Sequence, residues 1–425
     1  MSDLVQAVNS PQQIADAARR LREALLKRPF ALGPALELLE KWAVALQGRD
    51  LDDVPGIPFL RLWMRRGTLG PILERELGPQ SMNGAWLTEG MAKLKTFPLG
   101  IVGHWPAGNI EIQPLLSLSC ALLGGNSNLV RVPSGLVDVT RRLMAKLLVV
   151  DSEGYLADRI ALISFDHSRE DLQRAMAQHV DGAMIWGGAE AVSHLRSLPF
   201  PHWAHVAVFG PRLSVAAMDA AVWSESSDRS SWCQRIARDV WQFDQQACSS
   251  PQTLFLERGP NGSDVNEFIA ELKRAFEEEN RVHPRREIQP AQTAAICLAR
   301  ATWLLDDQNR QAWFPKSPDW TVLFGQGTEI PKPTQGRTLN VLLADDLVEV
   351  VSRFDGAVQT LGLAIGDPER EELLAQTAGS RGVDRIVKLG RMHVFGSPWD
   401  GVDLIRPMVR VVRYVPSQNL QTVEK

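Results

Sequence analysis

The chain has 425 residues, enough for two or three domains of about 150 residues each. A hydrophobic fraction of 44%, a charged fraction of 23% and a net charge of −4 are typical of a globular protein without the basic surface that nucleic-acid binding requires. No apolar run approaches the ~20 residues of a membrane-spanning helix, and the N-terminal sequence is not signal-like, so a cytoplasmic protein with no nucleic-acid or membrane partner is expected.

The N-terminal part of the chain has the pattern of successive helices. Ser10 is a good helix cap, Pro11 suits a first helical position, and apolar residues follow with a helical period. The predicted elements are helices over 12–26, near 34–46 and over 67–78, with a turn-rich stretch at 50–58 between the second and the third.

From Phe97 onward, short apolar strands alternate with helices. The predicted strands are 99–103, 128–132, 159–164 and 183–186, and the predicted helices are 110–123, 136–148, one capped by Ser168, and 189–198. This alternation predicts a parallel sheet covered on both faces.

Beyond Pro211 the alternation continues less regularly, so a domain boundary is predicted near 211–222. The predicted helices are 228–243, 264–280 and 347–355, the predicted strands are 253–257, 339–343 and 408–414, and 315–334 is predicted to be loop.

The four cysteines, at positions 120, 233, 248 and 297, form no C-x-x-C pair. No metal site is therefore predicted, and a disulfide framework is not expected in so long and cysteine-poor a chain. Cys120 and Cys297 lie in apolar helical runs and are predicted to be core residues, and Cys233 has no evident activating neighbour. Cys248 differs, because its neighbours are Gln and Ser residues, and it is a candidate reactive thiol.

Two loops that follow predicted strands are further candidates. Trp186-Gly187-Gly188 would let a ligand approach the backbone at a helix N-terminus, although a tight turn alone would explain the glycines, and no G-x-G-x-x-G motif supports a dinucleotide fold of that type. In the loop 104–109, Asn109 could donate its amide to a developing oxyanion, although asparagine after glycine is also common in turns.

Eight collinear segments together resemble the bacterial long-chain acyl-CoA reductases, a family of the aldehyde dehydrogenase superfamily. The segments are 103–109, 124–134, 185–188, 209–212, 243–251, 358–362, 382–387 and 398–401. They extend from about Phe97 to the C-terminal region, whereas the first ninety or so residues match only loosely.

The resemblance implies roles for individual residues. Cys248 is similar to the acyl-accepting nucleophile, and Asn109 to an oxyanion-hole asparagine that works with the nucleophile's backbone N–H. Arg131 stands where a lysine usually contacts the adenosine ribose, and an arginine suits the 2′-phosphate of NADPH. The implied cofactor-binding residues are Arg131, Pro133, Ser134, Trp186, Gly187 and Gly188, and no metal is implied.

Two departures from the aldehyde dehydrogenases bear on the chemistry. Val208 stands where hydrolytic members carry the glutamate that activates water, which favours reduction of a thioester over its hydrolysis. The Glu-x-Phe-Gly-Pro motif that holds the nicotinamide ribose is not found, and 335–338 is the nearest candidate.

The implied fold is α/β and aldehyde-dehydrogenase-like, with a Rossmann-like cofactor domain and an α/β catalytic domain. The expected division is 1–215 for the N-terminal helices and cofactor domain, 216–400 for the catalytic domain, and 401–425 for a C-terminal segment that returns to the cofactor domain or forms an oligomer interface.

The implied activity is NADPH-dependent reduction of an acyl thioester, on CoA or on a carrier, to an aldehyde through a cysteinyl acyl-enzyme. A homo-oligomer and an acyl-activating partner enzyme are also implied by the resemblance. The alternatives are a cysteine-dependent acyltransferase or thioesterase, and a non-catalytic partner of an acyl-activating enzyme.

Overall fold

The structure is a computed structural model that describes residues 4–79, 84–224, 226–259, 265–285, 288–306 and 310–417. These residues form two compact units. The first runs to Gly210 and resumes at Phe395, and the second is Pro211–Val394. The divisions predicted from the sequence, after 215 and 400, lie a few residues later in each case. The starting residue of the helix predicted over 264–280, Asp264, and residues 418–425 of the predicted C-terminal segment lie outside the described residues.

The first unit is built on a parallel sheet with helices between the strands. Its strands up to Gly210 are β1 (Val5–Ala7), β2 (Leu87–Glu89), β3 (Ala92–Pro98), β4 (Ile101–Trp105), β5 (Ser127–Arg131), β6 (Ile160–Ser164), β7 (Gly182–Trp186) and β8 (His205–Phe209). Its helices are α1 (Pro11–Lys27), α2 (Leu32–Ala45), α3 (Ile57–Trp63), α4 (Arg66–Leu77), α5 (Gln113–Leu123), α6 (Val137–Val150), α7 (Glu170–Gln178) and α8 (Ala189–Arg196). Six strands pair in parallel in the order β1-β6-β5-β4-β7-β8, which confirms the predicted parallel α/β architecture.

Helix α1 shows how the local sequence determines an element. The backbone N–H of Ser10 donates to Oε1 of Gln13 at 3.2 Å, as in a capping box. Ile14 and Leu21 then fall on one face of the helix, where they are buried in the core of the first unit.

One local prediction in the first unit is wrong, and another extends two residues too far. The stretch predicted to be turn-rich, 50–58, is so up to Gly56, and α3 begins at Ile57, because Pro58 is tolerated in a first helical turn while Leu60 and Trp63 are buried. Ser168 does not cap α7, since its hydroxyl donates to the Asp166 carboxylate at 2.7 Å instead, and the helix begins two residues later.

The second unit has its own sheet. Its strands are β9 (Leu213–Met218), β10 (Pro251–Glu257), β11 (Gln311–Trp313), β12 (Thr321–Gln326), β13 (Thr338–Ala344), β14 (Val358–Ala364) and β15 (Arg385–Lys388). Its helices are α9 (Ala220–Ser224), α10 (Ser226–Trp241), α11 (Val265–Val282), α12 (Pro290–Asp306), α13 (Leu347–Ser352) and α14 (Pro368–Ser380). The strand order is β11-β12-β13-β10-β9-β14-β15, with β11 antiparallel to β12 and the other neighbouring strands parallel.

Strand β10 lies at the centre of this sheet and is buried on both faces. Leu254 and Leu256 pack into one hydrophobic cluster, and Phe255 packs into the cluster on the opposite face. Strand β12 lies within the stretch predicted to be loop, so that prediction is wrong there. The strand was missed because its apolar run is short and the flanking sequence is rich in proline and glycine.

After Val394 the chain returns to the first unit. Strand β16 (Val409–Tyr414) pairs antiparallel with β3 in a three-stranded sheet of order β16-β3-β2. The buried carboxylate of Glu76 accepts hydrogen bonds from the backbone N–H groups of Ile405 at 2.7 Å and Arg406 at 2.8 Å, and from the Ser397 hydroxyl. These bonds fix the returning segment against α4.

Among the described residues, no helix is both long enough and apolar enough to cross a membrane.

Candidate active site

The carboxyl edge of the first sheet brings together the predicted residues of the first unit. Strands β5, β4 and β7 are parallel neighbours, so the loops that follow them meet at one edge, which is where ligands bind in open α/β sheets. This edge carries Asn109, Arg131, Pro133, Ser134, Trp186, Gly187 and Gly188.

The glycines after β7 lead directly into α8. Gly188 is the residue that caps α8, and a Cβ atom built on it would have no other atom within 4 Å. The first helical hydrogen bond is donated by Val192 to the Gly188 carbonyl at 2.9 Å, so the N–H groups of 189–191 precede the helical ladder and suit an anionic ligand. The N–H of Gly187 donates to the Phe209 carbonyl at 3.2 Å and therefore joins β7 to β8.

The side chain of Trp186 points into the first unit. Its ring stacks on Phe209 with centroids 3.8 Å apart, and its Nε1–H donates to the Ser117 hydroxyl at 3.0 Å. Only the backbone of Trp186 remains to face a cofactor.

Arg131 ends β5 with a partly buried side chain. Its guanidinium lies 5.4 Å from the centre of the Phe165 ring and donates through Nη2 to the Phe165 carbonyl at 3.5 Å. Its Nε is buried and has no acceptor among the described residues. Burial lowers the pKa of Arg131, but an arginine stays protonated in proteins. The side chain therefore offers a cation with a donor still to satisfy, which fits a cofactor that carries phosphate.

Asn109 lies at the tip of the turn that follows β4, and its side chain is exposed. The turn is held at its base, because the N–H of Ala107 donates to Oε1 of Gln113 at 2.7 Å. A Cβ atom on Gly108 would lie 3.5 Å from Cβ of Pro133, so the turn packs beside the end of β5.

The sequence predicts that His104 lies in this loop, but His104 is fully buried within β4. The Asn128 amide donates to the Asn126 carbonyl at 3.0 Å, so its Oδ1 accepts from Nε2–H of His104 at 3.0 Å. Nδ1 of His104 then accepts from the Ser117 hydroxyl at 2.8 Å, and the same hydroxyl accepts from Trp186. His104 is thus a neutral structural residue.

Replacing His104 with glutamine is expected to remove part of the acid sensitivity of the fold. Burial lowers the pKa of His104 to about 4, whereas an unfolded histidine titrates near 6.5. The unfolded state therefore takes up the proton first, so stability is full above pH ~6.5 and is lost as the pH falls towards 4. At pH 5 this loss is about 2 kcal/mol. Urea titrations at pH 7.5 and 5.0 should show a difference in unfolding free energy that is smaller by about that amount in His104→Gln. An equal difference in both proteins would contradict the assignment.

Cys248 lies in the second unit, between α10 and β10, and is partly exposed. Cys120 and Cys233 are buried, and burial raises the pKa of both thiols, that of Cys233 to about 12. The prediction that Cys297 is a core residue is wrong, because it lies on the exposed side of α12 while its neighbour Ile296 is buried. Two buried thiols are therefore protonated at neutral pH, and only Cys248 lies on a loop with polar neighbours.

The backbone around Cys248 is held from both sides. The Ser214 hydroxyl donates to the Cys248 carbonyl at 2.6 Å, and the Ser250 N–H donates to the Ala247 carbonyl at 2.9 Å, which closes a tight turn over the cysteine. Ser249 lies 3.0 Å from Nδ1 of His393 through its hydroxyl.

His393 supports this turn as a neutral residue. Its Nε2 lies 2.7 Å from the Asp239 carbonyl, which only accepts, so Nε2 carries the proton and Nδ1 accepts from the Ser249 hydroxyl. Burial lowers the pKa of His393 to about 4. Neither His393 nor Ser214 could be found from the sequence, because both are distant from Cys248 along the chain and neither lies in a recognisable motif.

Two segments of the second unit have left-handed backbone conformations. One directly precedes the cysteine turn, and the other binds the first through side chains. Phe243, Asp244 and Gln245 have φ angles of 55°, 51° and 62°. The segment 335–337 has φ angles of 61°, 63° and 59°. A non-glycine residue in this conformation costs about 1–2 kcal/mol, so each segment needs side-chain interactions that hold it.

The side chain of Gln245 joins the two segments. Its amide donates to the Thr338 and Pro251 carbonyls, both at 2.8 Å, and its Oε1 accepts from the Thr338 N–H at 2.7 Å. Gln245 is fully buried, so these three hydrogen bonds form out of contact with water.

Arg337 does not have the free side chain that a ribose-binding role for 335–338 would need. Its Nε and Nη2 both lie 2.7 Å from Oδ1 of Asp244, its Nη1 donates to the His283 carbonyl at 3.0 Å, and its guanidinium lies 4.5 Å from the centre of the Trp241 ring. The guanidinium is thus engaged within the second unit.

Val208 lies in the edge strand β8 and is partly buried against the core of the first unit. The stretch 207–212 contains no carboxylate, so it supplies no base that could activate water.

Comparison with known proteins agrees with these features. The sequence model of the acyl-CoA reductase (LuxC) family matches residues 9–411. A long-chain acyl-protein thioester reductase 2 of Photobacterium leiognathi is 24% identical over 361 residues, covering 84% of this chain and 72% of that protein. A long-chain acyl-protein thioester reductase of Vibrio harveyi is 23% identical over 356 residues, covering 82% of this chain and 71% of that protein.

Solved structures confirm the aldehyde-dehydrogenase-like fold. An NADP-dependent enzyme of E. coli superposes with a TM-score of 0.72 at 12% identity, covering 95% of this chain and 90% of that one. Aldehyde dehydrogenase 21 of Physcomitrella patens superposes with a TM-score of 0.71 at 13% identity, covering 96% and 91%. Family and fold together imply a nicotinamide cofactor, and the resemblance inferred from the eight segments is confirmed: this chain belongs to the acyl-CoA reductase (LuxC) family.

Proposed function

We propose that this protein reduces an acyl thioester, carried on CoA or on a protein thiol, to an aldehyde with NADPH as the reductant, and that Cys248 carries the acyl group. The observation that carries the proposal is the partly exposed Cys248 on a turn whose backbone is fixed by Ser214 and Ser249. A nucleophile held in one geometry loses little freedom when it attacks, which is a large part of what an enzyme contributes.

The Cys248 thiolate attacks the acyl carbonyl carbon, and a new C–S bond forms while the bond to the leaving thiol breaks. The departing thiolate takes up a proton, and the acyl group remains on Cys248 as a thioester. NADPH, when bound, supplies the hydride. The resulting thiohemiacetal on Cys248 collapses to aldehyde, and the thiolate is regenerated. The Asn109 amide is the proposed donor to the carbonyl oxygen as it gains negative charge in these steps.

The side chain of Val208 has no group that could act as a base. A hydrocarbon side chain cannot take a proton from water, so the thioester on Cys248 is not hydrolysed by a base at this position. This supports reduction as the fate of the acyl group.

The cofactor is proposed to bind at the carboxyl edge of the first sheet. The N–H groups of 189–191 and the open side of Gly188 suit its diphosphate, and Arg131 suits a 2′-phosphate on its adenosine ribose. Pro133 and Ser134, which lie two and three residues after the end of β5, would line the same site.

The test is a screen of acyl-CoAs of graded chain length, with NADPH oxidation and aldehyde release measured together. Mass spectrometry of protein mixed with acyl-CoA alone should find the acyl group on the peptide that contains Cys248. Thioester cleavage without NADPH consumption would identify a thioesterase or acyltransferase instead, and the absence of any acylation would point to a non-catalytic partner.

Replacing Arg131 with alanine is expected to lower the preference for NADPH over NADH at least about 10-fold, because the 2′-phosphate loses a charge-assisted partner. The comparison is of kcat/KM for the two cofactors, with Arg141→Ala on α6 as a control, since that side chain pairs with exposed Asp138. A wild-type preference for NADH would overturn the NADPH assignment and would favour Asp166, an exposed carboxylate close to Arg131, as an acceptor for ribose hydroxyls.

A further inference from the structure

We infer that Arg337 is a positioning residue for Cys248, because its ion pair with Asp244 keeps the segment before the cysteine in its left-handed conformation. This inference depends on the role proposed for Cys248. It assigns to Arg337 a function other than the cofactor contact that the sequence of 335–338 suggested.

Only a short stretch of chain separates the ion pair from the sulfur of Cys248. Only Gln246 and Ala247 separate Gln245 from Cys248, so a change at Gln245 reaches the cysteine across three residues, or at most about 11 Å of extended chain. The Gln246 N–H donates to the Phe243 carbonyl at 2.9 Å, so the left-handed segment leads directly into the turn that bears Cys248.

The two left-handed segments bind each other reciprocally. Arg337, from the second segment, binds the Asp244 carboxylate of the first. Gln245, from the first segment, binds both backbone groups of Thr338, which follows the second. Each segment therefore holds the other, and loss of the ion pair leaves the Gln245 amide as the main link.

The guanidinium of Arg337 is held by several contacts at once. Two of its nitrogens bind one carboxylate oxygen while a third binds the His283 carbonyl, and its plane lies over Trp241. The side chain of Arg285 is also buried and lies 3.7 Å from the same Asp244 oxygen, but it contacts the carboxylate less closely. A lysine would keep the charge but lacks the planar fork of donors that Arg337 presents to Asp244 and to the His283 carbonyl.

The experiment compares two reactions of Cys248 in a Cys297→Ser background, which removes the exposed thiol on α12. One reaction is alkylation by iodoacetamide, which needs only access to the sulfur. The other is acylation by an acyl-CoA in the single-turnover regime, which needs the sulfur in a fixed orientation. The variants are Arg337→Met, Arg337→Lys and Asp244→Asn. Asp244→Asn removes the charge of the carboxylate, and with it the ion pair, while it keeps a side chain of nearly the same size.

The expected result is that the two rate constants change in opposite directions. In Arg337→Met and Asp244→Asn, alkylation accelerates at least about 3-fold because the turn opens, while acylation slows at least about 10-fold because orientation is lost. Arg337→Lys should lie between these variants and the wild type. The double variant that combines Arg337→Met with Asp244→Asn should be no slower in acylation than the slower of the two single variants.

The matched control is Arg229→Met. The largely buried side chain of Arg229 pairs with Glu267 and binds the Trp223 and Ser224 carbonyls in the same unit, near the carboxyl end of β10, whereas Cys248 precedes the amino end of that strand. Rate constants that stay within 2-fold of the wild type, or that change as they do in Arg229→Met, would overturn the inference. If the wild type accepts no acyl group, the proposed function fails, and the alkylation rates of Asp244→Asn and Arg337→Met still decide whether the ion pair holds the turn.

Discussion

Replacing Cys248 with alanine should reduce aldehyde formation from acyl-CoA and NADPH by at least about 10⁴-fold, because removal of a covalent nucleophile costs far more than loss of a binding contact. The acyl group would have no sulfur to bind, so mass spectrometry should find no acylated peptide. Fluorescence titration should still detect NADPH, since the proposed cofactor contacts are all in the first unit.

The control for this variant is Cys297→Ser, which removes the exposed thiol on α12 and should retain activity within about 2-fold. Aldehyde formation by Cys248→Ala above a few per cent of the wild-type rate would show that another group accepts the acyl chain. Loss of NADPH binding together with activity would show that the substitution had damaged the fold.

Replacing Asn109 with alanine should lower kcat by about 10²–10³-fold, the usual cost of losing one donor to an oxyanion. The loss should fall on kcat more than on KM, because the amide is proposed to interact with charge that develops only during the reaction. The alkylation rate of Cys248 by iodoacetamide should not change, since that reaction generates no oxyanion.

The control for Asn109→Ala is Gln376→Ala, which removes an exposed amide from α14 that donates to neighbouring Glu372. A decrease in kcat of less than about 5-fold in Asn109→Ala would remove this residue from the mechanism and leave backbone N–H groups as the donors. A matching change in alkylation by iodoacetamide would show that the substitution acts on the thiol itself.

The layout of the fold could be predicted from local patterns because its strands are short apolar runs separated by helices. That alternation predicts that β5, β4 and β7 run parallel, which explains why the loops bearing Asn109, Arg131 and Gly188 lie at one edge of the sheet. The errors arose where a local signal had two meanings. Proline near 58 marks a first helical turn as well as a loop, and the apolar run around Cys297 contains only one buried face.

The support of the cysteine turn could not be predicted, because its partners are distant along the chain. Ser214 precedes Cys248 by 34 residues, and Ser249 and His393 are 144 residues apart. Asp244 and Arg337 are separated by 93 residues. A serine, a histidine and an arginine in unremarkable surroundings carry no sign of these contacts, and the left-handed run at 243–245 contains no glycine to indicate it.

The return of the chain after Val394 also orders events during synthesis. A ribosome completes the whole of the second unit before it has made the strand that pairs with β3 or the backbone N–H groups that neutralise Glu76. A fragment that stops at Gly210 would therefore leave one sheet edge open and would deprive the Glu76 carboxylate of the donors from Ser397, Ile405 and Arg406. The second unit is thus one continuous stretch of chain, whereas the first is assembled from two stretches that are separated in the sequence.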